Sequence, residues 1–168
     1  MNKQQVSENI GIARKYLESF HLLLPDDKIL FDCYCLPSFR WKAFYSQIYM
    51  TNGVYRANCA YTHYADYSGA ESYSVHFSSI EKVRHTAKTT DVICKSIFPA
   101  PDIIGSLFKY ANEITSIERP ENESTVIDGI TAGIRLYENG CMTRDICLID
   151  PHDDLPLLDE LLLFSDII

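Results

Sequence analysis

The 168-residue chain reads as an α+β protein: a mainly antiparallel sheet of about six to seven strands, packed against an N-terminal helix and a C-terminal helix. Three observations lead there. Asn52-Gly53 and Asn139-Gly140 each sit between runs of alternating polarity, and both residues of an Asn-Gly pair accept positive φ, so each pair marks a hairpin. Apolar residues recur at helical spacing at both ends of the chain. Successive strands are joined by short turns, which favours antiparallel pairing. Residues 1–168 are expected to form a single domain.

In chain order, Val6, Ile10, Ala13, Leu17 and Phe20 mark one face of an amphipathic helix over residues 3–21. After the turn at Pro25-Asp26-Asp27, Ile29, Phe31, Cys33 and Cys35 alternate with Leu30, Asp32 and Tyr34, which predicts a strand over 28–35. Residues 40–50 and 54–64 form a hairpin with a two-residue turn. That turn pairs Met50 with Tyr55, Ile48 with Ala57, Ser46 with Cys59 and Phe44 with Tyr61 on an apolar face. The other face is aromatic but polar, with Tyr45, Gln47, Tyr49, Arg56 and Asn58; either the first helix covers it or it is a recognition surface. Further strands are expected around Tyr73, Val75 and Phe77, and over Val92–Phe98. A short helix follows, capped by Asp102, with Ile104, Leu107, Phe108 and Ala111 on one side.

The second hairpin lies between Thr125 and Asp150. A plain two-residue turn would set Arg135 opposite Arg144, an unfavourable pair of like charges. A three-residue turn of Glu138, Asn139 and Gly140 instead faces Leu136, Ile134, Ala132 and Ile130 with Met142, Arg144, Ile146 and Leu148. This register gathers the apolar residues, with Gly140 left-handed and Arg144 near the edge, its stem buried and its head in water. Pro151 then ends the ladder, Asp153 or Asp154 caps a helix, and Pro156 fits its first turn. Leu155, Leu158, Leu161 and Leu162, widened by Leu157 and Phe164, should bury that helix against the sheet.

Hydrophobic content of 46% and charged content of 23% are those of a folded, water-soluble protein. The first residues carry no apolar signal segment, and no apolar run is long enough to span a bilayer, so a cytoplasmic protein without membrane contact is expected. The six cysteines, at 33, 35, 59, 94, 141 and 147, then read as reduced thiols, mostly within strands. Charge is unevenly spread. Residues 1–111 hold 12 Lys and Arg against 10 Asp and Glu, a net of +2; residues 112–168 hold 3 against 13, a net of −10. An acidic third repels phosphates and disfavours direct nucleic-acid binding, whereas it suits a basic protein partner or simple solubility.

Candidate chemistry is sparse. Cys33-x-Cys35 has the wrong spacing for a zinc pair and reads as two core cysteines. Asp150-Pro-His152-Asp153-Asp154 has the composition of a metal cluster but reads more simply as a turn and a helix cap. Cys59 with His63, or Cys94 with His76 or His85, are the available thiol–imidazole pairs, with nothing to fix their geometry. Glycine-rich phosphate loops, G-x-S-x-G and H-E-x-x-H are absent, so neither catalytic residues nor a cofactor or metal are expected.

Asp128-Gly129 entering a strand, the Glu138-Asn-Gly140 turn, Asp150-Pro151, an acidic step and a terminal leucine-rich helix together cover about 40 residues. This pattern resembles one found in small bacterial proteins that include immunity proteins of toxin–immunity systems. The resemblance implies a cytoplasmic, acidic, non-enzymatic protein that binds a cognate basic toxin domain, such as a nuclease. A general interaction or adaptor domain, and a small-molecule binder or enzyme of unknown substrate, remain as alternatives. On the physical reading, Glu118, Glu121, Glu123, Asp150, Asp153 and Asp154 are candidate contacts to a basic partner, with Tyr45, Tyr49, Tyr64 and Tyr67 as aromatic anchors.

Overall fold

The computed structural model describes residues 2–37, 42–63, 77–78, 91–114, 129–149 and 155–168. The elements are α1 (Lys3–Ser19), a 3-10 turn (Asp26–Lys28), β1 (Phe31–Pro37), β2 (Phe44–Thr51), β3 (Val54–His63), β4 (Asp91–Ile97), α2 (Pro101–Glu113), β5 (Ile130–Glu138), β6 (Cys141–Ile149) and α3 (Pro156–Ile167). The strands form one six-stranded sheet in the order β4-β3-β2-β1-β5-β6, every neighbouring pair antiparallel. With helices before, between and after its strands, this is the α+β class read from the sequence.

Each face of the sheet has its own core. On one side Phe31, Cys33, Cys35, Phe44, Ile48, Ala57, Cys59, Ala132, Ile134 and Leu148 pack beneath α2 and α3. There Phe31 meets Phe108 edge-on at 4.8 Å and Phe44 meets Phe164 at 5.8 Å. On the other side Tyr34, Leu36, Tyr45 and Ala60 pack beneath Val6, Ile10, Ala13 and Leu17 of α1. The aromatic face of the first hairpin is therefore covered by the first helix. The central β1 is buried along its whole length, because both faces are covered and β2 and β5 flank it.

Asn2 and Gln5 form a reciprocal capping box that starts α1. The helix stops at Ser19, and His21 takes φ of 58°, which turns the chain away. Phe20, read as part of the buried stripe, is consequently 55% exposed. The first hairpin has the predicted register throughout, from Phe44 opposite Tyr61 to Met50 opposite Tyr55. Of the strand expected around Tyr73, Val75 and Phe77, only Phe77 lies among the described residues; it is helical and buried, packing with the α1 cluster. The α2 helix takes Ala100 as its cap, with Asp102 inside the first turn rather than capping it. The expected caps of α3, Asp153 and Asp154, lie outside the described residues; Pro156 occupies the first turn as expected.

The second hairpin corrects the predicted register. Its turn has two residues, Asn139 (φ 51°) and Gly140 (φ 79°), with Glu138 opposite Cys141. A bulge then shifts the pairing between Tyr137–Met142 and Leu136–Arg144. The extra residue, Thr143, resolves the clash that argued against a short turn: Arg135 now faces Asp145, not Arg144. From Leu136–Arg144 onward the pairing lies two residues from the predicted one, so those residues keep their assigned faces; on the turn side of the bulge Met142 pairs with Tyr137 and Cys141 with Glu138, so these two exchange faces. Arg144 sits on the edge strand as expected, but its guanidinium is not left to water. It donates to the Asn112 carbonyl at 3.3 Å and to the Ile114 carbonyl, closing the C-terminal end of α2. Gly133 has a steric reason to be glycine. A methyl group there would overlap the Ile146 carbonyl and the Tyr34 ring, which lies across it.

Candidate functional site

A row of polar residues crosses the whole sheet on the α1 side. Pairing places Asp145, Arg135, Asp32, Gln47, Asn58 and Ser96 side by side, one from each strand from β6 to β4. Polar groups removed from water need partners, and here they find two kinds. At the β4 end they hold the segment that follows α1. Asn58 donates to the Leu22 carbonyl at 2.7 Å, while Gln47 accepts from the Leu24 amide at 2.9 Å and donates to its carbonyl at 3.1 Å. Ser96 and Tyr49 donate to the Asn58 side-chain oxygen at 2.5 and 3.4 Å.

At the other end the row closes on itself. The Asp32 carboxylate, fully buried, accepts from Arg135 Nε at 2.7 Å and Nη2 at 2.5 Å, from the Tyr45 hydroxyl at 2.9 Å and from the Tyr137 hydroxyl at 3.0 Å. Arg14 reaches the Tyr45 oxygen at 3.5 Å and pairs with Asp26 at 2.9 Å, which ties α1 and the 3-10 turn to the same cluster. Burial raises the Asp32 carboxyl above its ordinary range, opposed by the charge of Arg135 and by the phenol hydrogen bonds. Burial alone would lower Arg135, but Asp32 holds it above its usual value. Burial likewise pushes up the Tyr45 and Tyr137 phenols, which stay protonated and donate. With both carboxylate oxygens engaged, Asp32 has no oxygen turned to a substrate. The cluster is a cross-link of β1, β2 and β5.

The thiols are similarly occupied. Cys33, Cys35 and Cys59 are buried in the α2/α3-side core. Burial pushes Cys35 and Cys59 up to about 12 and Cys33 well above its ordinary value, far from the thiolate a nucleophile requires. Cys59 and His63 lie four residues apart on one strand, about 13 Å along it, and His76 and His85 lie outside the described residues. Among the described residues no three His, Cys, Asp or Glu side chains are grouped to hold a metal, and no helix is long and apolar enough to cross a membrane. An open groove of about 270 Å³, bordered by Phe108, Asn112, Leu136, Tyr137, Glu138 and Arg144, falls below the size usual for a small-molecule site.

No family model, curated protein or solved structure matches the chain.

Of the candidate contacts, Glu118, Glu121, Glu123, Asp150, Asp153, Asp154, Tyr64 and Tyr67 lie outside the described residues. Tyr45 is not a surface anchor: it has no exposed area and its hydroxyl is spent on Asp32. Tyr49 is half-buried, its hydroxyl turned to Asn58. The sequence reading overlooked the pairing of Asp32 with Arg135. The available signal was a carboxylate and a guanidinium, each placed in mid-strand among apolar neighbours. Several acids of the C-terminal third do stand at the surface: Glu113, Glu138, Asp145, Asp159 and Asp166 are all exposed.

Proposed function

We propose that this chain is an immunity-type protein, a non-enzymatic binder that neutralises a cognate basic toxin domain through its acidic C-terminal third. One observation carries the reading: a net of −10 over residues 112–168 against +2 over residues 1–111. So polarised a charge speeds encounter with a cationic partner and rejects polyanions. A toxin domain that acts on nucleic acid presents such a cationic groove. The buried polar groups support the same reading from the inside. Among the described residues the Asp32 carboxylate, the Gln47 and Asn58 amides and the core thiols are committed to the fold.

The test is growth rescue. The C-terminal domain of the protein encoded beside this one is expressed with and without this chain. Toxicity relieved by co-expression is the expected result. A harmless neighbour, or toxicity that persists while this chain is folded and abundant, defeats the proposal.

A further inference from the structure

The leucine-rich composition of α3 reads as a helix mostly buried against the sheet, and the helix lies on the surface with one face bare among the described residues. At about 100° per residue, its buried residues Leu157, Leu158, Leu161, Phe164 and Ser165 fill the inward arc. The outward arc carries Leu163, 48% exposed, and Ile167, 40% exposed, one turn apart. Asp159 and Asp166 flank that pair on one side and Glu160 on the other; the two aspartates are exposed and Glu160 is half-buried. The helix has no basic residue, and none of the three acids forms an ion pair among the described residues.

Resting on the immunity reading, we infer that this outward face of α3 is the docking surface, and that it fits a protein surface with lysine or arginine around an apolar centre. A single exposed leucine needs no explanation. Two apolar side chains one helical turn apart and bordered by carboxylates match an interface core inside a charged rim. The carboxylates choose the occupant. They repel anionic lipid and nucleic acid, and they attract a cationic protein surface whose apolar centre covers Leu163 and Ile167.

Amide chemical shifts of the full chain, followed during titration with a synthetic amphipathic Lys/Leu peptide, test the surface directly; a Lys/Ser peptide of equal charge is the control. Shifts centred on residues 156–167 and at least about tenfold weaker binding of the Lys/Ser peptide are expected, the tenfold corresponding to loss of apolar contact. The double substitution L163S/I167S should weaken the Lys/Leu peptide by a similar factor. D159N/D166N should remove most of the salt dependence, and it serves as the reporter if the first variant fails to fold. Shifts centred elsewhere, no shifts, or equal binding by folded variants overturn the inference. Growth rescue separates the two claims. Rescue by the parent chain and not by folded L163S/I167S supports this face. Rescue by both overturns the face and leaves the immunity reading standing, whereas no rescue by the parent chain removes the immunity reading while the titration still decides the face.

Discussion

Replacing Arg135 with methionine should cost more stability than any surface substitution, and the cost should depend on pH. Arg135 supplies two of the four hydrogen bonds to a fully buried carboxylate. Its own side chain is 18% exposed, so screening is slight. Hydrogen bonds to charged groups are worth roughly 1.5–3 kcal/mol each, and stranding one partner of a buried pair costs about 3–5 kcal/mol. Methionine recovers some packing, so a loss of about 3–5 kcal/mol at pH 7 is expected. With urea slopes of roughly 2 kcal/mol per molar, that is a midpoint shift of about 1.5–2.5 M. The pH dependence follows from Asp32. Without Arg135, burial raises the carboxyl further above its unfolded value, so the native state holds a proton that the unfolded chain releases. Stability then falls as pH rises through that window, and the deficit of Arg135→Met relative to the parent should shrink as pH is lowered from 7 toward 4. Urea unfolding at both ends of that range measures it. A paired Asp32→Leu/Arg135→Met variant should regain part of the loss, because no charge is left stranded. A loss below about 1 kcal/mol, or a deficit that is the same at both pH values, would refute the claim that this pair joins β1 to β5.

The thiols make the fold sensitive to alkali. Cys35 and Cys59 are pushed up to about 12, above the unfolded value, so their contribution is complete below about pH 8.5 and is lost as pH rises above it, by about 1.4 kcal/mol per unit for each thiol. Urea midpoints measured from pH 7.5 to 10.5 should fall, and a flat profile would contradict the burial of these thiols. In the native protein a thiol reagent should modify exposed Cys141 first, and should reach Cys33, Cys35 and Cys59 only on unfolding. Rapid modification of four or more thiols would rule out the packing described. Gln47→Leu removes both hydrogen bonds to Leu24; a loss of about 2–3 kcal/mol is expected, with faster proteolytic cleavage between residues 20 and 28. Unchanged cleavage would show that the side-chain amide does not hold this segment.

What was legible in the sequence was what alternation and turn chemistry encode locally. The first hairpin needed only Asn52-Gly53 and two alternating runs, and every pair is as read. The second hairpin shows where such reading stops. Alternation fixed the faces from Leu136 and Arg144 onward, but a bulge at Thr143, an escape that a regular ladder does not contain, moved the pairing by two residues there and exchanged the faces of Met142 and Cys141. The stripe of α1 ran one residue too far for the same kind of reason. Periodicity includes Phe20, but the positive φ of His21 redirects the chain, and no local pattern announces it. Asp32 and Arg135 lie 103 residues apart, and their pairing depends on β1 lying beside β5, which is a fact of topology. The candidate contacts fared according to where they sit. Tyr45 belongs to a face that α1 had to cover, whereas the acids of the loops were chosen for charge alone.

The polar row also bears on where this protein can meet a partner. A sheet face lined only with apolar residues would accept α1 in several positions and leave the following segment unpinned. Gln47 and Asn58 instead bind the backbone of Leu22 and Leu24, and Arg14 ties Asp26 and Tyr45 together. Each bond fixes a position, and a mispositioned arm would leave buried polar groups unpaired, at roughly 1–3 kcal/mol each. Fixing the arm in this way spends the α1 side of the sheet, just as α2 and α3 spend the other side on the larger core. Among the described residues the central strands are thereby covered on both faces. Among the apolar side chains exposed in the described residues, Leu163 and Ile167 stand one turn apart between carboxylates, on a helix that has a sufficient buried face without them. Their exposure is not needed by the fold, and that is the reason to look for their use in binding.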